Sequence, residues 1–402
     1  MDTLSSPSAS GALAHLRRRW WATLGASGTV LVSGFCLLWV AWQPAYALRW
    51  GLTSLSLLLY GLWLLRRHLS DNHRLGEDLL LPDLGPGTVL TVARGVGLAL
   101  LGGFVLMPRP PGEYAWIPVG LGTAAALADE IDGFLARLSG HSTGLGRALD
   151  TEFDALAMLV FSSLAVSYGQ LPALFLVLGL ARYVFVFGLA CLKRAGRPVY
   201  SLPPSASRRL TAGTTLGFLT TALWPVLGPP MTTVAGAIAG GALVFSFVRD
   251  WLLATGCLRP ESPQYVRLEQ RVTDVLQGWV PLALRMVAFG AAVWVLLTTW
   301  ILPAAVTATA LVAPTLELVV TSTVVAGAAA CVLFGVGGRF AGGALVVAAG
   351  FFIILEGPDS GCLTVLGSAL ALVLLGSGKL SLGRNDDRFF TRRLGDTSGV
   401  VE

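Results

Sequence analysis

Charge is scarce in this chain. Asp, Glu, Lys and Arg together make up 13% of the residues, while apolar side chains make up 54% and the mean hydropathy is +0.71. A purely soluble fold needs more polar surface than that, so the composition excludes one. Histidine is rarer still, with four residues. The five cysteines, Cys36, Cys191, Cys257, Cys331 and Cys362, stand far apart, mostly inside apolar runs. No CxxC or Cys/His cluster occurs, which argues against a zinc site; the cysteines read as small buried apolar side chains. A long basic tract is also missing. The net charge of +5 is dispersed as short Lys/Arg groups between apolar runs. That is the distribution of topogenic charge, and no nucleic-acid partner is expected.

What is present in quantity is apolar sequence of membrane-spanning length, about 20 residues per span. Two spans come first, at 20–42 and 49–65. The run from Trp20 to Trp42 follows Arg17–Arg19 but is long for a signal peptide and has no clear cleavage site, so it reads as a retained span. A middle block has six, at 88–106, 115–135, 149–168, 171–192, 210–227 and 231–252. The charged segment LRPESPQYVRLEQRVTD marks a boundary. About four more follow, at 277–301, 317–336, 340–356 and 361–378; the run 302–316 reads as a loop, a re-entrant segment or part of a span. The expected fold is an all-α polytopic membrane protein in three parts, 1–79, 80–257 and 258–402. Alternating the spans puts Arg17–Arg19, Arg66, Arg67, Arg137, Arg147, Lys193, Arg194, Arg197, Arg208, Arg209, Arg249, Arg339, Lys379 and Arg392 on one side. By the positive-inside rule that side is cytoplasmic, with both termini there, in a bacterial inner membrane.

The exception to the scarcity of charge is DEIDGFLARLSGHSTGLGRALDTEFD, Asp129 to Asp154, at the same cytoplasmic face. Asp129, Asp132, Gly133 and Ala136 follow short helical steps, and Gly146, Asp150 and Asp154 are each about one turn apart. Two helix ends joined by a short loop can aim four carboxylates at one point. Such a cluster beside hydrocarbon costs several kcal/mol without compensation, on the order of what an intramembrane charge costs. Divalent cations supply that compensation, and oxygen-only ligands favour Mg²⁺ or a similar hard ion. Gly133 and Gly146 permit close approach of a ligand, and Arg137 offers a planar cation for phosphate. Metal, arginine and a spare carboxylate together equip a site for phosphoryl transfer.

The stretch carries D-x2-D-G-x2-A-R-x8-G-x3-D-x3-D in full, through Asp129, Asp132, Gly133, Ala136, Arg137, Gly146, Asp150 and Asp154. In this it resembles the CDP-alcohol phosphotransferase family, over about residues 80–257. The resemblance implies a six-helix catalytic core, flanked here by two N-terminal and about four C-terminal spans, and a homodimer. It implies that a CDP-linked alcohol, often CDP-diacylglycerol, gives its phospho-alcohol group to an acceptor hydroxyl with release of CMP. It implies two Mg²⁺ or Mn²⁺ ions held by Asp129, Asp132 and Asp150, with Asp154 as general base and a further metal contact. Gly133, Ala136, Arg137 and Gly146 would line the CDP pocket. Upstream, GPGTVLTVARG resembles the family's P-N-x-x-T-x-x-R: Thr91 and Arg94 match and would also face CDP. Thr88 stands where Asn is common and Gly87 where Pro is common, and helix capping is an equal account of Thr91.

On the acceptor side, Arg208 and Arg209 in KRAGRPVYSLPPSASRRLTAG and Arg182 inside a span are candidates for an acceptor phosphate. An intramembrane Arg needs a partner or a wet cavity, and the same holds for Arg285. His15, His68 and His73 look isolated and solvated. At the C-terminus Gly376, Gly378, Ser381 and Leu382 faintly resemble the closing G-x-G-x-x-S-L of DoxX-like membrane proteins. Two other functions compete, a transporter with relaying carboxylates and an inactive scaffold. The first does not need the Gly, Ala and Arg positions, and the second expects a lost Asp.

Overall fold

The computed structural model describes residues 9–383 except Leu75, Pro204, residues 301–315 and Pro358; for Ala9, Glu130, Phe134, Arg137, Ala206, residues 354–356 and Leu374 it describes the backbone alone. The described chain is helical, with isolated β-bridges and no strand among the described residues. Its α-helices are α1 (Ala9–Ala41), α2 (Pro44–Arg67), α3 (Pro86–Gly102), α4 (Trp116–Leu138), α5 (Gly144–Ser167), α6 (Phe175–Arg194) and α7 (Ala206–Ala222). They continue with α8 (Met231–Ala254), α9 (Pro263–Asp274), α10 (Val280–Trp300), α11 (Leu316–Phe334), α12 (Gly338–Glu356) and α13 (Ser360–Leu375). In hydrocarbon each backbone polar group must be satisfied within the segment, which leaves helices as the form for such runs. Their ends follow local chemistry. Pro44, Pro86 and Pro263 occupy first turns, where a missing N–H costs nothing. Thr143, Ser262 and Asp359 cap α5, α9 and α13.

Among the described residues seven helices are long and apolar enough to cross a membrane: α1, α2, α3, α6, α8, α11 and the continuous helix Pro263–Trp300 that joins α9 to α10. The chain is an integral multi-pass membrane protein with an all-α fold, as the composition indicates. Helices α12 and α13 are apolar but shorter, and α4 and α5 carry the aspartates. Two boundaries differ from expectation. The first helix begins at Ala9, so Arg17–Arg19 lie within it. The charged segment after α8 is a helix, α9, that passes through a π-turn (Val275–Trp279) into α10. Polarity hid it, since only one of its faces is apolar. The ambiguous run 302–316 lies outside the described residues but for Leu316, the first residue of α11, and Arg392 lies outside them too.

By packing the described residues divide into two units: those up to 191 with 216–241, and 192–215 with 242–383. In the first, α2, α3 and α5 share one core containing Trp50, Phe104, Phe153 and Phe161. The N-terminal helices are thus built into the same core as the motif-bearing α5. Lipid gives helices little hydrophobic reason to associate, so small residues that allow close approach matter most. A Cβ on Gly95 would stand 2.5 Å from the Phe153 ring, and one on Gly102 would stand 2.2 Å from Leu57. Trp50 also donates its indole N–H to the Leu100 carbonyl at 3.0 Å.

In the second unit Arg285 of α10 is fully buried, and its partners are backbone carbonyls. Nε donates to Val332 (2.8 Å), Nη1 to Ser377 (3.2 Å) and Lys379 (2.9 Å), and Nη2 to Leu333 and Leu380. Val332 and Leu333 are in the last turn of α11, where a cation is favoured by the helix dipole, and Ser377, Lys379 and Leu380 lie in the segment after α13. The segment resembling the DoxX-like ending therefore wraps this guanidinium. Gly335, at φ +65°, leaves room for it: a Cβ there would lie 2.9 Å from the Arg285 Cζ.

Candidate active site

Helices α3, α4 and α5 bring the motif together. Asp129, Asp132, Gly133, Ala136 and Arg137 lie in the last turns of α4, and a loop through Gly140 (φ +63°) leads to Thr143. The Thr143 hydroxyl accepts the Gly146 N–H at 3.1 Å, which starts α5 and sets Gly146, Asp150 and Asp154 at one-turn intervals along it. The α3–α4 crossing is tight. A Cβ on Gly87 would lie 2.6 Å from the Ala136 Cβ and 2.7 Å from the Asp132 carbonyl oxygen. Gly87, a departure from the family pattern, is thus what lets α3 approach the aspartates, and Ala136 is small for the same reason. A Cβ on Gly146 would meet the Thr88 and Thr143 hydroxyls at 3.1 and 3.4 Å.

One carboxylate oxygen from each of Asp129, Asp132 and Asp150 lies within 4.8 Å of the others. Asp132 is buried at 4% exposure, and Thr91 donates to its Oδ2 at 2.8 Å, with the Gly87 carbonyl as an alternative acceptor at 3.0 Å. Thr91 is inside α3, whose first turn holds Pro86 after Gly85, so the capping account of Thr91 is excluded. Arg94, also 4% exposed, reaches into the cluster from α3. Its Nη1 pairs with Asp129, and its Nη2 lies 3.1 Å from Asp150 Oδ1 and 3.2 Å from Asp154 Oδ1. Asp150 and Asp154 are about half-exposed, so the cluster has a closed side at Asp132 and Arg94 and an open side at Asp150 and Asp154. Three carboxylates thus touch one buried guanidinium, and Asp132 lies beside them. Hard oxygen donors in excess over cationic charge suit a divalent ion of the Mg²⁺ or Mn²⁺ kind. Asp154 stands outside the three-carboxylate group and joins it through Arg94.

The remaining expected residues are placed as follows. Gly133 is half-buried on α4, and the Arg137 side chain lies outside the described residues. Arg182 on α6 is near enough for its charge to act on Asp154. Arg208 and Arg209 belong to the second unit. Arg209 is exposed, whereas Arg208 donates to the Pro203 carbonyl and lies 3.4 Å from Asp250 Oδ2. That contact is part of a network that sequence reasoning missed. Buried Arg249 pairs with Asp250 (3.1 Å) and Glu269 (2.8 Å), and Glu269 accepts the hydroxyls of Ser205 and Ser207, both at 2.8 Å. Its members are dispersed along the chain, so no local pattern announces it.

A second omission lies before α3. The segment between α2 and α3 clasps the α4–α5 loop. Arg74 forms an antiparallel bridge with Thr143 and donates from Nε to the Gly140 carbonyl at 3.1 Å, while the Gly144 N–H bonds the His73 carbonyl at 3.1 Å. Asn72 donates to the Leu81 and Asp83 carbonyls, both at 3.0 Å, shaping the clasp. Nor are the histidines isolated. His68 Nδ1 lies 2.6 Å from Asp71, and His15 Nδ1 lies 2.9 Å from the Pro82 carbonyl. The dense polar residues of DNHRLGEDLLLPD were the available signal.

No curated protein and no solved structure matches this chain. Divalent-metal use is general among CDP-alcohol phosphatidyltransferases, and the aspartate cluster has the donors for it. The family match supports a transferase of phosphate groups in a membrane protein. Residues 87–258 match the family model described as CDP-alcohol phosphatidyltransferase, and over that stretch the chain is similar to this family.

Proposed function

We propose that the chain transfers a phosphatidyl or related phospho-alcohol group from a CDP-alcohol, with CDP-diacylglycerol as the expected donor, to an acceptor hydroxyl, releasing CMP in phospholipid synthesis. The observation that carries this is the convergence of Asp129, Asp132 and Asp150 around buried Arg94, with Asp154 on the open side. Asp129, Asp132 and Asp150 would hold the divalent ions, and Asp154 would add a contact. When bound, the ions offset charge on the phosphate oxygens. Thr91 holds Asp132 in place, and Arg94 keeps the carboxylates together. Gly133, Ala136, Arg137 and Gly146 would line the donor side, with Thr91 and Arg94 beneath it. Asp154 takes the proton of the acceptor hydroxyl as its oxygen bonds to the β-phosphorus; the bond from that phosphorus to the bridging oxygen breaks, and CMP leaves with that oxygen. Arg182 would serve a phosphorylated acceptor. The site would face the cytoplasm of a bacterial cell, where CDP-linked donors are made, and the protein would work as a homodimer.

The test is CMP release by the purified full chain with CDP-diacylglycerol, Mg²⁺ and a panel of alcohols. Activity should vanish with EDTA and return with Mg²⁺ or Mn²⁺. Asp154→Asn should keep donor affinity but lose about 10²–10⁴-fold in turnover, the usual share of a general base. Full turnover after exhaustive chelation would refute the metal assignment. An Asp154→Asn variant that turns over normally, or fails only through lost donor binding, would remove Asp154 from the base role.

A further inference from the structure

Helix α9 lies beyond the family match and runs directly into the span α10. Leu268, Val272, Val275 and Trp279 follow one another at steps of four, three and four residues, so they line one side of the helix. On that side Leu268, Val275 and Trp279 are 37%, 47% and 55% exposed. Beside it the helix is anchored: Tyr265, one turn before Leu268, is buried, and Glu269 is held by Ser205, Ser207 and Arg249. Leu268, Val275 and Trp279 stay outward while these neighbouring contacts fix the helix.

Arg267 and Arg271 border this apolar strip. The two acidic residues of the helix are engaged elsewhere, Glu269 by Arg249 and Asp274 by Lys379 at 2.6 Å. Among the described residues this leaves both guanidiniums without a carboxylate, and Arg267 bonds only the Pro263 carbonyl of its own first turn. Lys379 stands 5.1 Å above the Trp279 ring, which adds a third cation where the strip meets α10. An exposed apolar strip edged by two arginines without a carboxylate, on a helix that leads into a membrane span, has the makeup of a segment lying in a membrane surface.

We infer that α9 is an interfacial helix that docks on anionic phospholipid: Leu268, Val275 and Trp279 enter the headgroup–acyl boundary, and Arg267 and Arg271 bind lipid phosphates. The proposal does not depend on which reaction the aspartate cluster performs. Since Glu269 ties α9 to Ser205 and Ser207, the helix cannot shift on the lipid without disturbing that polar network.

The experiment uses the full chain with its five native cysteines replaced and a single nitroxide at Leu268→Cys, Val275→Cys or Gln270→Cys. Each is placed in nanodiscs of phosphatidylcholine with or without phosphatidylglycerol. Labels at 268 and 275 should collide with oxygen several-fold more than with a water-soluble nickel chelate, and the label at 270 should show the reverse. Phosphatidylglycerol should deepen the label at 268, and R267Q with R271Q should abolish that deepening, since each surface cation contributes roughly fivefold to anionic-membrane affinity. A label at 268 reached by the chelate as freely as one at 270 would overturn the proposal. So would labels at 268 and 275 immobilised and shielded from both agents, because protein, such as a second copy of the chain, would then cover the strip. Depth unaffected by phosphatidylglycerol would overturn it as well.

Discussion

At the scale of single residues, Arg94 decides how the aspartates can coexist. It reaches from α3, buried, and touches Asp129, Asp150 and Asp154, while Thr91 restrains Asp132. A charge buried this deeply is tolerated only with close partners, and removing it leaves the carboxylates to repel one another. Arg94→Met should cost about 1–3 kcal/mol of stability, less than a fully buried pair would because Asp150 and Asp154 reach solvent. The drop should appear in thermal melts of the detergent-solubilised protein. Mg²⁺ should recover more of the loss in the variant than it adds to the wild type, as ligand binding to the folded state does. An unchanged melt, or equal Mg²⁺ responses, would show that Arg94 is not the counter-cation.

At the scale of elements, the position of the α4–α5 loop depends on a segment outside the family match. Arg74 and His73 hold the loop at Gly140, Thr143 and Gly144, and Thr143 caps the helix that carries Asp150 and Asp154. Releasing the clasp should loosen that cap without altering any carboxylate. In Arg74→Ala, amide exchange over residues 139–146 should quicken, and the donor KM should rise several-fold with kcat nearly unchanged. A fall in kcat at constant KM would place Arg74 in the chemistry instead. Unaltered exchange would mean that the backbone bridges hold the loop without it.

At the scale of the whole molecule, the distribution of cations sets the orientation. If the cation-rich loops are cytoplasmic, the loop at Ser142 faces the cytoplasm and the turn at Glu113 faces the other side. A membrane-impermeant thiol reagent should reach Ser142→Cys only from the cytoplasmic side of membrane vesicles and Glu113→Cys only from the opposite side, in a background without the native cysteines. Labelling of Ser142→Cys from outside alone would invert the topology and separate the site from cytoplasmic CDP-linked donors.

The amino-acid sequence by itself determined that this is a helical membrane protein, because uninterrupted apolar runs leave the backbone no other way to satisfy its polar groups in lipid. It also determined the motif residues and most span positions, since helical spacing is local: Gly146, Asp150 and Asp154 fall on one face whatever surrounds them. Tertiary structure alone decided what meets across helices. The approach of Gly87 to Ala136, the reach of Arg94 into three carboxylates, the Arg285 guanidinium joining the end of α11 to the segment after α13 and the link from Glu269 to Arg249 all join residues distant in sequence. Helix α9 lay between these cases: its period was present in the sequence, but the charges that alternate with it lowered its mean hydropathy, and only packing revealed which face is free. Such pairings depend on how helices cross, and crossing is fixed by side-chain size at contact points that no local pattern encodes.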